Sequence, residues 1–275
     1  MCRHMAYLGP DVTLRSLIID PPYGLYKQAW APRFQKRGAI NADGFGVGWY
    51  PGADQAPVRY RQATPIWTDE SFYEISAVTR AGAVLGAIRN ATPRTSHGAA
   101  AAGPFKHGQW LFSHNGAVNG WPGSTAALAA TLPAISLLEL EARVDSALLW
   151  ALVLHRLRGG AAPAEALAST AEALCAAGVT GRFNFLLTDG RTIAATTAGH
   201  TLYYRQTPGG VTVASEPGDD ERGWIDIPRD GSLVTATPGQ VTVTRLSALN
   251  TIAADAATAH ETPEVPDRPE CSGTP

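Results

Sequence analysis

The chain opens Met1-Cys2-Arg3-His4. Removal of Met1 would leave Cys2 in first position, with a thiol and a free α-amine on one residue. An α-amine titrates near ~8 and a thiol near ~8.5, so at neutral pH the amine can serve as base for its own thiol, directly or through a water. Nucleophiles activated by a chain-terminal amine carry out acyl transfer. A cysteine at position two can also be an accident that points into solvent, and position alone favours that plainer reading. The other reactive residues assemble no rival chemistry. Seven histidines are scattered without an HxH or HExxH pattern. Cys2, Cys175 and Cys271 are an odd number with no close spacing, which argues against a disulfide framework and a Cys-rich zinc site. Cys2 with His4 is too little for a metal, so neither a metal nor an organic cofactor is expected. Cys175 lies in Ala-Glu-Ala-Leu-Cys-Ala-Ala, a helical context that predicts a buried, inert thiol.

The elements that must position Cys2 follow from pattern. Arg3 to Leu8 reads as a strand with Cys2 at its leading end. Thr13 to Asp20 reads as a short amphipathic helix stopped by Pro21-Pro22. Asn41-Ala42-Asp43-Gly44 is a turn signal. It precedes Phe45 to Tyr50, which alternates large and small residues at period two, with Val58 to Gln62 as a hairpin partner. Glycines within such a strand mark close approach of another backbone or a ligand. Asp69 to Arg80 is helical with Asp69 as its cap. Ala83 to Ile88 and Trp110 to Ser113 are strands, and the Ala/Gly-rich Gly98 to Gly103 between them reads as a mobile loop. Val144 to Leu157 is a helix apolar on most faces, hence buried, and Pro163 to Ala177 is a second helix with Pro in its first turn. Short strands follow at 183–188, 192–197, 201–205, 210–214, 232–235 and 241–244, separated by turn residues at hairpin spacing.

Strands, then helices, then strands predict an α+β fold: a four-layer αββα sandwich of two mainly antiparallel sheets covered by helices. No linker divides residues 2–249. From about Asn250 the chain is Ala, Thr, Glu and Pro with few large apolar residues, which reads as a disordered tail over 250–275. At 275 residues and 45% hydrophobic the chain can bury a sizeable core. With a net charge of −2 and no Lys/Arg-rich run, no nucleic-acid partner is expected. No apolar run reaches the ~18–20 residues of a membrane span, and no secretory signal opens the chain. The expectation is a cytoplasmic protein with a small-molecule substrate and no membrane partner; homo-oligomerisation is left open.

Four segments lie in order along the chain: Cys2-Arg3-His4, Arg89-Asn90-Ala91-Thr92, His114-Asn115-Gly116 and Val144-Asp145-Ser146. Each alone is weak, since an Asn-Gly pair is most often a hairpin turn. Together they resemble the glutaminase domain of the class II glutamine amidotransferases, which are N-terminal nucleophile hydrolases. The resemblance implies that Cys2 is the nucleophile. An amide carbonyl attacked by a thiolate becomes an oxyanion and needs donors where that charge develops, each worth roughly 3–4 kcal/mol. The resemblance gives that work to the Asn115 side chain and the Gly116 backbone N–H. It implies a γ-glutamyl substrate, whose α-carboxylate meets the planar fork of Arg89, with Thr92 beside it, and whose α-ammonium meets Asp145. Read without the family, Arg89 is a surface ion pair and Asp145 caps the helix beginning at Ser146. Several family members have His after the Thr; Pro93 stands there in this chain, so no side-chain role carries over.

Class II glutaminase domains are often fused to a synthase domain that consumes the ammonia. The glutaminase-like segments and their strands use nearly all of this chain, and no phosphate-binding loop is present. Further stretches narrow the resemblance: Met-Cys-Arg-His with Tyr-Leu-Gly, Trp30-Ala31-Pro32-Arg33, Asn41 through Tyr50, Phe112 through Gly116, and Ala214-Ser215-Glu216-Pro217. Over residues 1–245 they resemble the γ-glutamyl hercynylcysteine S-oxide hydrolases of ergothioneine biosynthesis, an amidohydrolase subfamily. That implies release of glutamate and hercynylcysteine S-oxide through a Cys2 thioester. Its leaving group carries a quaternary ammonium, which aromatic faces attract, so Trp30, Trp49, Tyr50 and the carboxylate of Asp43 are candidate pocket residues; core aromatics and a turn Asp are the alternative. Two other functions stay open: a glutaminase subunit of a two-protein amidotransferase, and a non-catalytic γ-glutamyl-binding protein. For His114, packing is favoured over orienting Asn115.

Overall fold

The structure is a computed structural model that describes residues 2–35, 40–52, 54–91 and 95–249. Thr92, Pro93 and the tail expected over 250–275 lie outside the described residues. Among the described residues the strands run β1 (Arg3–Thr13), β2 (Phe45–Trp49), β3 (Val58–Gln62), β4 (Arg80–Ile88), β5 (Phe105–His107), β6 (Trp110–Val118), β7 (Gly181–Thr188), β8 (Ile193–Ala198), β9 (Tyr203–Thr207), β10 (Gly210–Ala214), β11 (Ile225–Asp226), β12 (Asp230–Thr237) and β13 (Gln240–Arg245). The helices are α1 (Leu14–Ile18), α2 (Leu25–Gln28), α3 (Glu70–Val78), α4 (Ala126–Ala129), α5 (Ala134–Leu138), α6 (Asp145–Arg158) and α7 (Pro163–Ala176). One sheet has the order β11-β9-β10-β1-β4-β2-β3, the other β13-β12-β8-β7-β6-β5.

The strand that carries Cys2 is therefore central, with β10 and β4 antiparallel on either side. Burial on both faces explains its sequence, because successive side chains enter different cores. Ala6 and Leu8 join Leu85, Leu111, Leu186 and Val213 between the two sheets. Met5 and Tyr7 point the other way, into a layer with Leu14, Ile18, Leu25, Phe72 and Ile88 beneath α1, α2 and α3. Beyond the second sheet, Phe112, Phe183 and Phe185 pack on Leu148, Leu149 and Leu152 of α6 and on Leu167 and Leu174 of α7. The order of layers is thus helices, sheet, sheet, helices, the α+β sandwich expected.

Local chemistry sets several boundaries. The Thr13 hydroxyl accepts the Ser16 N–H at 3.2 Å and starts α1, and Asp69 accepts the Phe72 N–H at 2.8 Å and starts α3. β3 returns beside β2 as the hairpin partner expected. β1 is longer than the 3–8 segment, and β5, β11 and the short helices α2, α4 and α5 carry too little periodicity to read in advance. Asn115-Gly116 makes no hairpin turn: it lies inside β6, with Asn115 opposite Asn184 and Gly116 opposite Phe183. Gly98–Gly103 is more closely held than its composition suggested, with Ala101 and Ala102 buried and the Ala100 and Ala102 carbonyls each accepting from Arg61 at 3.2 Å. Cys175 is half-buried, because its position on α7 faces partly outward.

Candidate active site

Cys2 heads β1 and is half-buried, its Sγ 3.9 Å from the Asn90 carbonyl oxygen. Arg3 pairs with Ile88 across the ladder, so Cys2 lies level with Arg89 at one end of the first sheet. The pleat sends Arg3 to the outer face, where it is almost wholly buried. Its Nε lies 3.1 Å from Glu216 Oε1, off the hydrogen-bond line, so neither atom has a hydrogen-bond partner among the described residues. The other Glu216 oxygen accepts the Arg33 N–H at 2.7 Å. Burial pulls the Arg3 pKa down, and the negative charge of Glu216, then of Cys2, pulls it back up. His4 returns to the inner face, its Nδ1 3.1 Å from the Ser113 hydroxyl on β6. Burial, followed by His114 and Arg3, pushes His4 down to about 3, so the ring is neutral at physiological pH.

Arg89 is held in place by backbone. Its Nη2 donates to the Ser96 carbonyl at 2.9 Å and to the Thr95 hydroxyl at 3.1 Å, and its Nη1 reaches the Asp43 carbonyl at 3.5 Å. It is 7% exposed and so forms no surface ion pair. Asp43 supports the same turn: its N–H donates to the Arg89 carbonyl at 2.9 Å, and its Oδ2 accepts the Ala91 N–H at 2.7 Å. Ser96 donates in turn to the Arg143 carbonyl through its backbone N–H at 3.3 Å and its hydroxyl at 3.2 Å. That carbonyl belongs to the segment that leads into Asp145, so the Arg89 turn and the start of α6 are tied together.

On the second sheet, β6 presents Asn115 to the space between the sheets, with its Nδ2 3.5 Å from the Ser215 hydroxyl. Gly116 follows where a Cβ would run into the Arg182 carbonyl of β7 and the His114 ring. Only glycine lets β6 and β7 pair this closely. Asp145 opens α6, its Oδ2 accepting the Val118 N–H at 3.0 Å and its Oδ1 the Ser146 N–H at 2.7 Å. The helix begins at Asp145 with Val144 at the cap position, so Asp145 is a first-turn residue and not the cap that the plain reading expected. Its Oδ1 is also 3.3 Å from the Ser146 hydroxyl, and its Oδ2 keeps a second lone pair. His114 packs against Phe183 and Phe185, as favoured, and also bonds at both nitrogens. Its Nε2 is 2.8 Å from the Arg182 carbonyl and must donate, so Nδ1 accepts from the Ser146 hydroxyl at 2.9 Å. Burial pushes its pKa down, against the pull of Asp145.

Cys2, Arg89 and Asp43 thus gather at one end of the first sheet, with Asn115 and Gly116 on β6 of the second and Asp145 at the start of α6, bonded to Val118 of β6. The aromatic candidates hold the following positions. In β2 it is Phe45 that pairs with Ile88, whereas Trp49 pairs with Val84, four residues or about 13 Å further along. Tyr50 is buried between the sheets, its hydroxyl donating to the Gln109 and Thr188 carbonyls at 2.7 and 3.0 Å. Trp30 meets Tyr26 and Trp67 edge-on in the outer layer, and the Lys27 ammonium already lies 5.2 Å from its ring. Trp30 and Tyr50 thus hold packing positions, as core aromatics do, and Trp49 lies along β2 from the Cys2 end. Ser215, Glu216 and Ser113 are parts of the surroundings that had been assigned no role. The one available signal was Arg3 itself, since a charged residue in a doubly buried strand demands a buried partner. Among the described residues no three His, Cys, Asp or Glu side chains gather as a metal site, and no helix is long and apolar enough to cross a membrane.

Comparisons with known proteins find relatives in sequence and in fold. Residues 28–211 match the family model described as glutamine amidotransferases class-II. The chain is 41% identical over 247 residues to a γ-glutamyl-hercynylcysteine sulfoxide hydrolase of Mycobacterium tuberculosis, covering 90% of this chain and 97% of that one. A protein of the same name from Mycolicibacterium smegmatis is 40% identical over 246 residues, covering 90% of this chain and 100% of that one. Among solved structures, a glutamine aminotransferase class-II domain protein from Silicibacter pomeroyi superposes with a TM-score of 0.63 at 23% identity, over 89% of this chain and 99% of that one.

Proposed function

The chain belongs to the class II glutamine amidotransferases, and from that premise we propose that it hydrolyses the γ-glutamyl amide of γ-glutamyl hercynylcysteine S-oxide, releasing glutamate and hercynylcysteine S-oxide. The observation that carries the substrate is the end-to-end similarity to hydrolases of that name, at 41% identity over 97% of the relative's length. The observation that carries the chemistry is the position of Cys2, level with Arg89 on one sheet while β6 presents Asn115 from the other.

In this reading the α-carboxylate of the γ-glutamyl group binds Arg89, whose guanidinium is already oriented by Ser96 and Thr95. Thr92 completes that side, and the α-ammonium binds Asp145. Loss of Met1 frees the Cys2 amine, which takes the thiol proton. The thiolate attacks the γ-carbonyl carbon, and the charge on oxygen is met by the Asn115 amide and the Gly116 N–H. The tetrahedral intermediate collapses, the C–N bond breaks, and the departing amine takes its proton from the Cys2 ammonium. Water then attacks the thioester; the C–S bond breaks, glutamate leaves, and the thiol regains its proton. No metal or organic cofactor enters these steps. The small substrate and the absence of a basic run point to a cytoplasmic enzyme without a nucleic-acid partner.

The test is glutamate release by the purified protein, offered the conjugate and glutamine in parallel, with Cys2→Ala as control. The expected result is Cys2-dependent release that strongly favours the conjugate, while Cys2→Ala still binds it. Preference for glutamine would make the protein an amidotransferase subunit, and release that survives Cys2→Ala would remove the nucleophile.

A further inference from the structure

One hydroxyl joins the strand that carries the nucleophile to the strand that carries the oxyanion amide. Ser215 lies just beyond β10 and is fully buried. Its backbone N–H donates to the His4 carbonyl at 2.9 Å, and its hydroxyl oxygen accepts the His4 N–H at 3.0 Å. The Thr201 hydroxyl donates to the Ser215 carbonyl at 2.8 Å, so the residue is held by bonds that do not depend on its own side chain. Across the sandwich the same Ser215 oxygen is 3.5 Å from Asn115 Nδ2. Asn115 is also fully buried, and its Oδ1 has no hydrogen-bond partner among the described residues. Among the described residues, the Ser215 contact is thus what constrains the rotation of that amide. Contacts of this length are usual in unliganded sites and tighten when the substrate arrives.

We infer that Ser215 is a positioning residue for the oxyanion hole: by holding one N–H of the Asn115 amide, it turns the other toward the carbonyl attacked by Cys2. The inference rests on the oxyanion role proposed for Asn115. An amide nitrogen carries two hydrogens in one plane, so fixing one direction fixes the other. The Ser215 oxygen also takes the N–H of His4, two residues after Cys2. The nucleophile and the donor that stabilises its product are therefore referenced to one atom. A second tie, His4 Nδ1 to the Ser113 hydroxyl at 3.1 Å, joins the same two strands and holds their spacing. Donors in an oxyanion hole act only when aimed where the charge will be, and nothing in the Ser215 geometry reaches the Arg89 side of the site. Its effect should fall on turnover and leave substrate binding unchanged.

The experiment is a double-mutant cycle on the full chain with the γ-glutamyl conjugate, reading kcat, KM and the melting temperature. Asn115→Ala should lower kcat by roughly 100- to 1000-fold, the usual loss for one oxyanion donor. Ser215→Ala should lower kcat by about 10- to 100-fold with KM within about twofold, as misdirection of that donor requires. In the Asn115→Ala background, Ser215→Ala should change kcat by less than about twofold, because the amide it positions is gone. Ser215→Cys keeps the site filled and puts a weak hydrogen-bonding thiol in place of the hydroxyl, so it should follow Ser215→Ala and provides a second reading should the alanine variant melt near assay temperature. Wild-type kcat in both Ser215 variants would overturn the inference. So would an equal loss with and without Asn115, which would place the effect on the fold or on β1 instead. An Asn115→Ala variant with wild-type kcat would instead overturn the proposed oxyanion role.

Discussion

Several side chains of the site do structural work with the same atoms that the chemistry needs. Asp145 accepts the Ser146 N–H in the first turn of α6, where negative charge is favoured, and in the proposed mechanism its Oδ2 also meets the substrate ammonium. Arg89 spends its Nη2 on Ser96 and Thr95, which aims its plane and leaves the rest of the fork free to bind a carboxylate. Lysine at this place keeps the charge and loses the fork. Arg89→Lys is therefore expected to raise KM for the γ-glutamyl substrate by roughly 10- to 100-fold, the value of a charge-assisted hydrogen bond at about 1.5–3 kcal/mol. Because the proposed mechanism rests the chemical step on Cys2 and Asn115, kcat should stay within a few-fold. Steady-state kinetics on the variant separates the two, and a fall in kcat at unchanged KM would remove the carboxylate role. This much was legible in residue type alone: a planar cation and a carboxylate at either side of an Asn-Gly pair. The orientation of each was not, because the atoms that orient them are backbone carbonyls and N–H groups from distant turns.

At the scale of elements, the site depends on how closely two strands approach. Gly116 sits in β6 opposite Phe183, and the room a Cβ would need is filled by the Arg182 carbonyl and the His114 ring. Gly116→Ala must push β7 or His114 aside, costing about 3 kcal/mol or more. The expected outcome is a lower melting temperature together with loss of turnover, since the same displacement moves the Gly116 N–H. A variant with wild-type melting and activity would show that β6 carries no such constraint. The glycine itself suggested close approach; that the approach is to the protein's own backbone emerged only from the β6–β7 register. The same limit applies to Asn115-Gly116 as a whole. Locally it is a hairpin signal, and it becomes mid-strand because both residues pair with β7, almost seventy positions later. Trp49 and Tyr50 show the opposite case. Their alternation identified β2 correctly, but strand direction placed them at the far end of the sheet from Cys2.

At the scale of the whole molecule, the sandwich buries three neutral histidines around the site. His4 is pushed down from 6.5 to about 3, and burial also lowers His114 and His200. Each stays neutral in the fold but takes up a proton in the unfolded chain below about pH 6.5. The unfolded state then binds more protons, so stability rises with pH. The contribution is complete above about pH 6.5 and is lost as the pH falls toward the folded-state values. For His4 alone the loss between pH 6.5 and 5 is about 2 kcal/mol. Melting measured by calorimetry should fall clearly between about pH 7.5 and about pH 5. A melting temperature that holds or rises over that range would mean that these rings are protonated in the fold.

The sequence by itself determined the family and the order of the longer strands and helices, and it pointed to Cys2 as the proposed nucleophile. These rest on residue identity at a few positions and on hydrophobic period, both of which are local. Tertiary structure alone decided what surrounds Cys2: the buried Arg3–Glu216 pair and the Ser215 hydroxyl between His4 and Asn115. These contacts join residues one hundred to two hundred positions apart. They follow from which strands are neighbours and where each ladder starts, and a one-residue slip in either would send every side chain to the opposite face.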